Sequence, residues 1–193
     1  MIAFLEGVVD SKGVDYVVLN VGGIGFHVKT SSRTSDEIGS VGSEAVLHTC
    51  FMIREENPVL FGFDSTQERA VFLDLVSVSG VGPRVALALL SALRPGDLAT
   101  AIVCNDTELL SKIPGVGKKT AARLCVDLST RMESYVGTSA GAAHPGDAEL
   151  VEALMALGYT AREAVDAARK VEVAEGVPLE RRIKKALGAL AGR

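Results

Sequence analysis

The sequence predicts an α+β chain of small domains, a five-stranded barrel followed by helices, and three features of its 193 residues carry that expectation. Residues 1–63 are dense in β-branched and aromatic residues punctuated by Gly, Asn, Asp and Pro, the pattern of short strands. From Thr66 the apolar spacing turns helical, and at 137–146 the run GTSAGAAHPG interrupts it. A chain of this length divides naturally into two or three small domains.

The expected strands are Ile2–Val9, Tyr16–Val21, Gly25–Lys29, Ala45–Ile53 and Val59–Phe63, with a short helical turn near Thr34–Ile38. Five short strands in so few residues suggest a small closed barrel. The OB type is the commonest such barrel, although strand count alone also admits another five-stranded barrel or a sandwich. Helices are expected from Thr66 to about Tyr135, opening on Asp64 or Ser65 as N-cap with Ala70, Phe72, Leu73, Leu75 and Val76 as the first apolar stripe. The segment 137–146 has the small, uncharged, Gly-containing composition of a flexible linker. Beyond it, Asp147–Leu157, Ala161–Ala174 and Leu179–Leu190 show helical spacing, enough for a three-helix bundle over 147–193. The expected domains are therefore 1–63, 64–136 and 147–193, joined across 137–146.

Composition narrows the function classes. The net charge of −4 argues against a generally basic nucleic-acid binder, so any affinity for DNA must be local. Residues 1–64 hold four basic and nine acidic side chains, whereas residues 65–140 hold eight and seven, so the charge differs between segments. Cys50, Cys104 and Cys125 are widely spaced in apolar surroundings and read as reduced thiols, while His27, His48 and His144 are equally scattered, so no metal site or cofactor is expected. With no apolar stretch of membrane-spanning length and no basic-then-apolar N-terminus, the chain reads as soluble, unexported and cytoplasmic.

The most informative feature is an internal repeat. Val78-Ser79-Gly80-Val81-Gly82-Pro83-Arg84 recurs thirty-five residues later as Ile113-Pro114-Gly115-Val116-Gly117-Lys118-Lys119. Each copy follows one helix and opens another, the first over Arg84–Leu93 with Val85, Leu89 and Ala92 on one face, the second over Lys118–Leu128 with Ala121, Leu124 and Leu128. Glycines at the first and third positions permit positive φ and close approach of a phosphate, and the valine between them plugs the gap between helices. The following helix start offers free N–H groups and a partial positive charge, beside which Arg84, Lys118 and Lys119 add full charges. A single such turn is ordinarily just a tight helical hairpin; duplication with a base after each copy points to DNA-backbone binding.

Rival glycine motifs fail on spacing. Gly117-Lys118-Lys119-Thr120 resembles the end of a P-loop, but Lys112 stands where the first P-loop glycine belongs and Lys119 where Ser or Thr belongs. Gly22-Gly23-Ile24-Gly25 lies among strands and reads as a hairpin turn. No Ser/His/Asp set or carboxylate cluster suited to phosphodiester cleavage emerges, so the chain is expected to bind without catalysing.

The tandem SGVGPR and PGVGKKTAARL segments, the opening MIAFLEG and the later LGYTAREA resemble the RuvA family over the whole chain. That resemblance implies an OB barrel, a tandem helix-hairpin-helix domain and a mobile three-helix module. It also implies assembly as a homotetramer, singly or as a face-to-face double tetramer, on a four-way (Holliday) junction held open and flat. The ATPase RuvB would drive branch migration, with the RuvC resolvase left open as a further partner. The candidate DNA contacts are then Gly80, Gly82, Arg84, Gly115, Gly117, Lys118, Lys119 and Arg123. Glu55 and Glu56, by themselves a solvated turn, match the family's acidic pin, with Glu-Glu in place of Glu-Asp. Leu154, Leu157, Val171 and Leu187 are the candidate RuvB-facing residues, although such positions are usually core. Two other readings stay open: a DNA-binding subunit of a repair nuclease, which requires an acidic metal cluster, and a scaffold whose barrel stacks single-stranded bases, which the absence of Trp disfavours.

Overall fold

A computed structural model describes residues 2–54, 57–136, 145–170 and 178–191. The chain forms two compact units, Met1–Leu93 and Arg94–Arg193.

The first unit opens with strands β1 (Phe4–Lys12), β2 (Tyr16–Val21) and β3 (Ile24–Lys29), then helix α1 (Ser32–Glu37), then β4 (Glu44–Arg54) and β5 (Asn57–Phe63). They close a barrel in the order β1-β2-β3-β5-β4. All pairings are antiparallel except a short parallel seam, Val28↔Leu60 and Lys29↔Phe61. Alternation decides what faces inward: Leu5, Val9, Val17, Leu19, Val28, Leu47 and Leu60 fill the interior. This is the OB-type architecture the strand pattern suggests, with α1 between β3 and β4.

The strand limits differ from expectation for identifiable reasons. A register shift between Val9 and Ser11 bends β1, so that its first half pairs with β4 and its second with β2, and the strand runs on to Lys12. Pairing of β4 with β5 persists to Arg54↔Asn57, beyond the apolar residues that signal either strand. Gly22 and Gly23, both at positive φ, make the two-residue turn between β2 and β3.

Helices α2 (Thr66–Ser77) and α3 (Pro83–Ala92) complete the first unit. Ser65, rather than Asp64, caps α2, its Oγ accepting from the N–H of Glu68 at 3.1 Å. Phe72 of α2 packs against Phe61 and Phe63 of β5, with ring centroids 5.2 and 4.8 Å away. The apolar stripe is shifted by a residue: Val71, Phe72 and Leu75 are buried while Leu73 is exposed. On α3 the buried set is Pro83, Ala86, Leu89 and Leu90; Val85 is half-buried and Ala92 exposed, so only Leu89 of the expected face holds. Both helices pack on one another and on the rest of the unit, and burial against partners so distant in sequence cannot be seen in either helix's own periodicity.

A buried acid holds the joint between barrel and helices. Glu68, 3% exposed, accepts from Ser31 Oγ at 3.1 Å, Thr34 Oγ1 at 2.9 Å and the Asp64 N–H at 3.1 Å. Ser31 also caps α1, taking the Thr34 N–H at 3.1 Å. One carboxyl thus ties the starts of α1 and α2 together. Burial, then the hydrogen bond and charge of the neighbouring Asp64 carboxyl, raise its pKa from the ordinary 4.5 to about 7, against the hydroxyl of Thr34 and the Asp64 N–H.

The second unit contains α4 (Pro95–Val103), α5 (Thr107–Ser111), α6 (Lys118–Met132), a 3₁₀ turn (Glu133–Tyr135), and α7 (Pro145–Ala156), α8 (Ala161–Lys170) and α9 (Leu179–Ala191). Leu98, Ile102, Leu110, Leu124 and Leu128 are among its fully buried side chains. The last three helices form a bundle around Leu150, Leu154, Ala164 and Ala186. Gly158, at φ 95°, ends α7, and Thr160 with Glu163 makes a reciprocal cap for α8, the Thr160 N–H donating to the Glu163 carboxylate at 3.0 Å. The expected linker 137–146 lies mostly outside the described residues, as does the expected end of α8. Among the described residues no single helix is long and apolar enough to cross a membrane.

Candidate nucleic-acid interface

The two sequence repeats fold into the same local geometry. In each, a backbone N–H closes a four-residue turn, Val81 N to Val78 O and Val116 N to Ile113 O, both at 3.0 Å. The third residue of each turn is a glycine at positive φ, 89° at Gly80 and 87° at Gly115. This is the pattern of a type II turn, which requires a left-handed residue at that position and favours Pro just before it, where Pro114 stands. Val81 and Val116, 3% and 5% exposed, plug into the helix pair on either side, as their place in the repeat suggests.

The second glycine of each copy does something else. The repeat leads one to expect positive φ there too, but Gly82 and Gly117 have φ of −89° and −85°, extended values open to any residue. They are the N-caps of α3 and α6, and neither helix has a side-chain cap. A Cβ built on Gly117 would meet nothing within 4 Å. Neither backbone conformation nor internal packing demands a glycine at 117. What glycine provides is a bare approach to the amides of Lys118, Lys119 and Thr120, which precede the first intrahelical donor, Ala121.

Electrostatics separates these two helix starts from most others. Helices α2, α4, α5, α8 and α9 each carry a carboxylate in the first turn, which offsets the positive end of the helix dipole. Helices α3 and α6 carry none. Instead Arg84 stands exposed at the start of α3, with Lys118 and Lys119 exposed at the start of α6 and Arg123 exposed one turn further along. Two glycine-capped N-termini with added bases form sites suited to a diester anion. The residues that sequence reasoning passed over are backbone ones, the N–H groups of Val85 and Thr120; counting from the capping glycine would have found them.

Other chemistry is sparse. Among the described residues no group of three His, Cys, Asp or Glu side chains is placed to hold a metal ion. Cys50 and Cys125 are buried, which pushes both thiols upward in pKa, and none of the three cysteines forms a disulfide.

Comparison with known proteins accounts for nearly the whole chain. Residues 1–62 match the profile of the RuvA N terminal domain, residues 72–130 a SAM-like helix-hairpin-helix tandem, and residues 147–191 the RuvA C-terminal domain. A protein of Methylibium petroleiphilum is 40% identical over 193 residues, covering 99% of this chain and 100% of its own. The chain belongs to the RuvA family. A relative from Herpetosiphon aurantiacus is 40% identical with complete coverage of both chains, and one from Chloroflexus aggregans 38% identical with 97% of each covered. All three carry the name Holliday junction branch migration complex subunit RuvA.

Of the remaining residues that resemblance to the RuvA family singles out, Glu55, Glu56 and Val171 lie outside the described residues. Leu154 is wholly buried in the three-helix bundle, which removes it from any partner-facing surface. Leu157, just past the C-terminal end of the same helix, is 59% exposed, and Leu187 is half-buried. The i, i+3 spacing places Leu154 and Leu157 on one stripe, but α7 ends at Ala156, so Leu157 turns out of the bundle.

Proposed function

We propose that this chain is a non-catalytic junction-recognition subunit. It binds four-way DNA junctions through phosphate contacts, holds them open and flat, and targets the RuvB ATPase for branch migration in recombination and repair in the cytoplasm. The observation that carries the DNA part is the pair of uncapped, glycine-started helices α3 and α6, free of first-turn acid and flanked by Arg84, Lys118 and Lys119. Backbone amides and full charges suit contacts with phosphates, which position a protein on DNA without reading its sequence. The names of the relatives support the junction and the branch-migration complex.

The functional division follows the domains expected from sequence: barrel 1–63, hairpin domain 64–136, connection 137–146, and partner-binding module 147–193. In a homotetramer, Glu55 and Glu56 from each copy would gather carboxylates about one axis, repelling a continuous duplex and favouring an open crossover. Among the described residues, Leu157 is an exposed apolar anchor for RuvB on the module. A double tetramer and a contact with RuvC fit the same organisation. Competition of a labelled four-way junction against duplex and single strand tests the reading directly. Preferential retention of the junction is expected, and equal competition by duplex overturns it.

A further inference from the structure

The C-terminal module is electrically balanced in sequence, with eight basic and eight acidic side chains in residues 141–193; among the described residues, one helix face gathers three of the bases. On α9, Arg181, Lys184 and Lys185 are all exposed and, at i, i+3 and i+4, share one face. Gly188, one turn on, continues that face with no side chain, and a Cβ there would meet nothing within 4 Å. Arg182 points the other way, 4% exposed, and Ala186 is wholly buried. The described acids exposed on α7, Glu149 and Glu152, belong to a different helix. Glu163 of α8 is engaged with Thr160. Glu180 stands in the first turn of α9, where it complements the helix dipole.

We infer that the ridge formed by Arg181, Lys184 and Lys185 is a second contact for the phosphate backbone of DNA, separate from the hairpins. Side chains at i, i+3 and i+4 leave the helix from Cβ atoms about 5–6 Å apart, and the long Arg and Lys stems let their charges reach successive phosphates. The bare turn at Gly188 lets a duplex backbone lie along the ridge without a clash. Such a contact reads no bases and neutralises phosphates, so it adds affinity and salt dependence but no sequence preference. It rests on the junction-binding reading, because it places a weak grip on DNA in the module that meets the motor.

The test uses the full-length chain on a long-armed four-way junction, with a salt titration of binding without motor and, separately, stimulation of the motor. The triple variant Arg181→Gln, Lys184→Gln, Lys185→Gln should bind more weakly. Its log–log salt slope should be shallower by about one unit for every phosphate that each copy no longer neutralises. Gly188→Glu provides the second arm: it places an acid on the ridge, its better helix propensity offsetting the cost of an acid in the last turn, so binding should weaken while the module keeps its fold in thermal unfolding. Unchanged affinity and slope in both variants overturn the inference, and if motor stimulation falls while the slope holds, the ridge serves an acidic protein surface instead. Lys118→Gln with Lys119→Gln separates the two readings. Weaker binding there but not in the α9 variants sinks the ridge alone, whereas intact binding sinks the hairpin reading itself.

Discussion

Replacing Glu68 with Gln should change how stability depends on pH. The Glu68 carboxyl is 3% exposed, and burial with the adjacent Asp64 raises its pKa from 4.5 to about 7. Because the folded value lies above the unfolded one, the folded state binds the extra proton between them. The wild-type protein is therefore favoured at low pH and loses stability as pH rises from about 4.5 through about 7, opposite to an ion-paired carboxylate. At about 1.4 kcal/mol per pKa unit, the full swing is roughly 3 kcal/mol. Gln keeps the shape and one acceptor for the donors from Ser31, Thr34 and Asp64, but cannot ionise. Urea unfolding of both proteins at several pH values between about 4 and 8.5, followed by circular dichroism, would give the difference in stability. Gln should gain on Glu by roughly 3 kcal/mol across that range. A flat difference would refute the reasoning, since it would mean that the three hydrogen-bond donors keep Glu68 ionised in spite of burial.

Three further outcomes follow from the site. Gly117→Val puts a β-branched side chain at an extended, sterically open N-cap; it should cost the fold about 1 kcal/mol and weaken junction binding roughly tenfold, about 1.4 kcal/mol, by gel shift. Gly115→Val, at φ 87°, should instead destabilise the fold itself by at least about 1–2 kcal/mol in thermal unfolding. Equal effects of the two on binding and stability would contradict the division of labour between the glycines. Glu55→Gln with Glu56→Gln should raise affinity for plain duplex at low salt and leave junction affinity nearly unchanged, and equal duplex affinity in variant and wild type would leave these residues as an ordinary solvated turn. Leu157→Asp should abolish stimulation of the motor while stability falls by less than about 0.5 kcal/mol, whereas the buried Leu154→Ala should cost about 2–5 kcal/mol in unfolding.

The repeated turn is legible without coordinates because its cause is local. A glycine at the third position of a tight turn sets the same left-handed backbone in both copies, and the recurrence of the whole segment in one chain makes coincidence implausible. Strand alternation, the change of period near Thr66 and the three final helices are readable for the same reason, each being set by neighbours within one or two turns of chain. The sequence by itself therefore determined the order of the strands and of the last three helices, the positions of the hairpins and the bases beside them.

Tertiary structure decided what depends on neighbours distant in sequence. The spacing Ser65-x-x-Glu68 is that of a capping box. Only the arrival of Ser31 and Thr34, more than thirty residues earlier in the chain, turns Glu68 into a buried acid joining two helices. Nothing in the repeat distinguishes its two glycines; φ and the open space at Gly117 assign the first to conformation and the second to access. Likewise Leu154 and Leu157 look alike on a helical stripe until the end of α7 buries one and exposes the other. Periodicity tells which residues share a face, but burial depends on which faces meet, and that is settled only when the whole chain has packed.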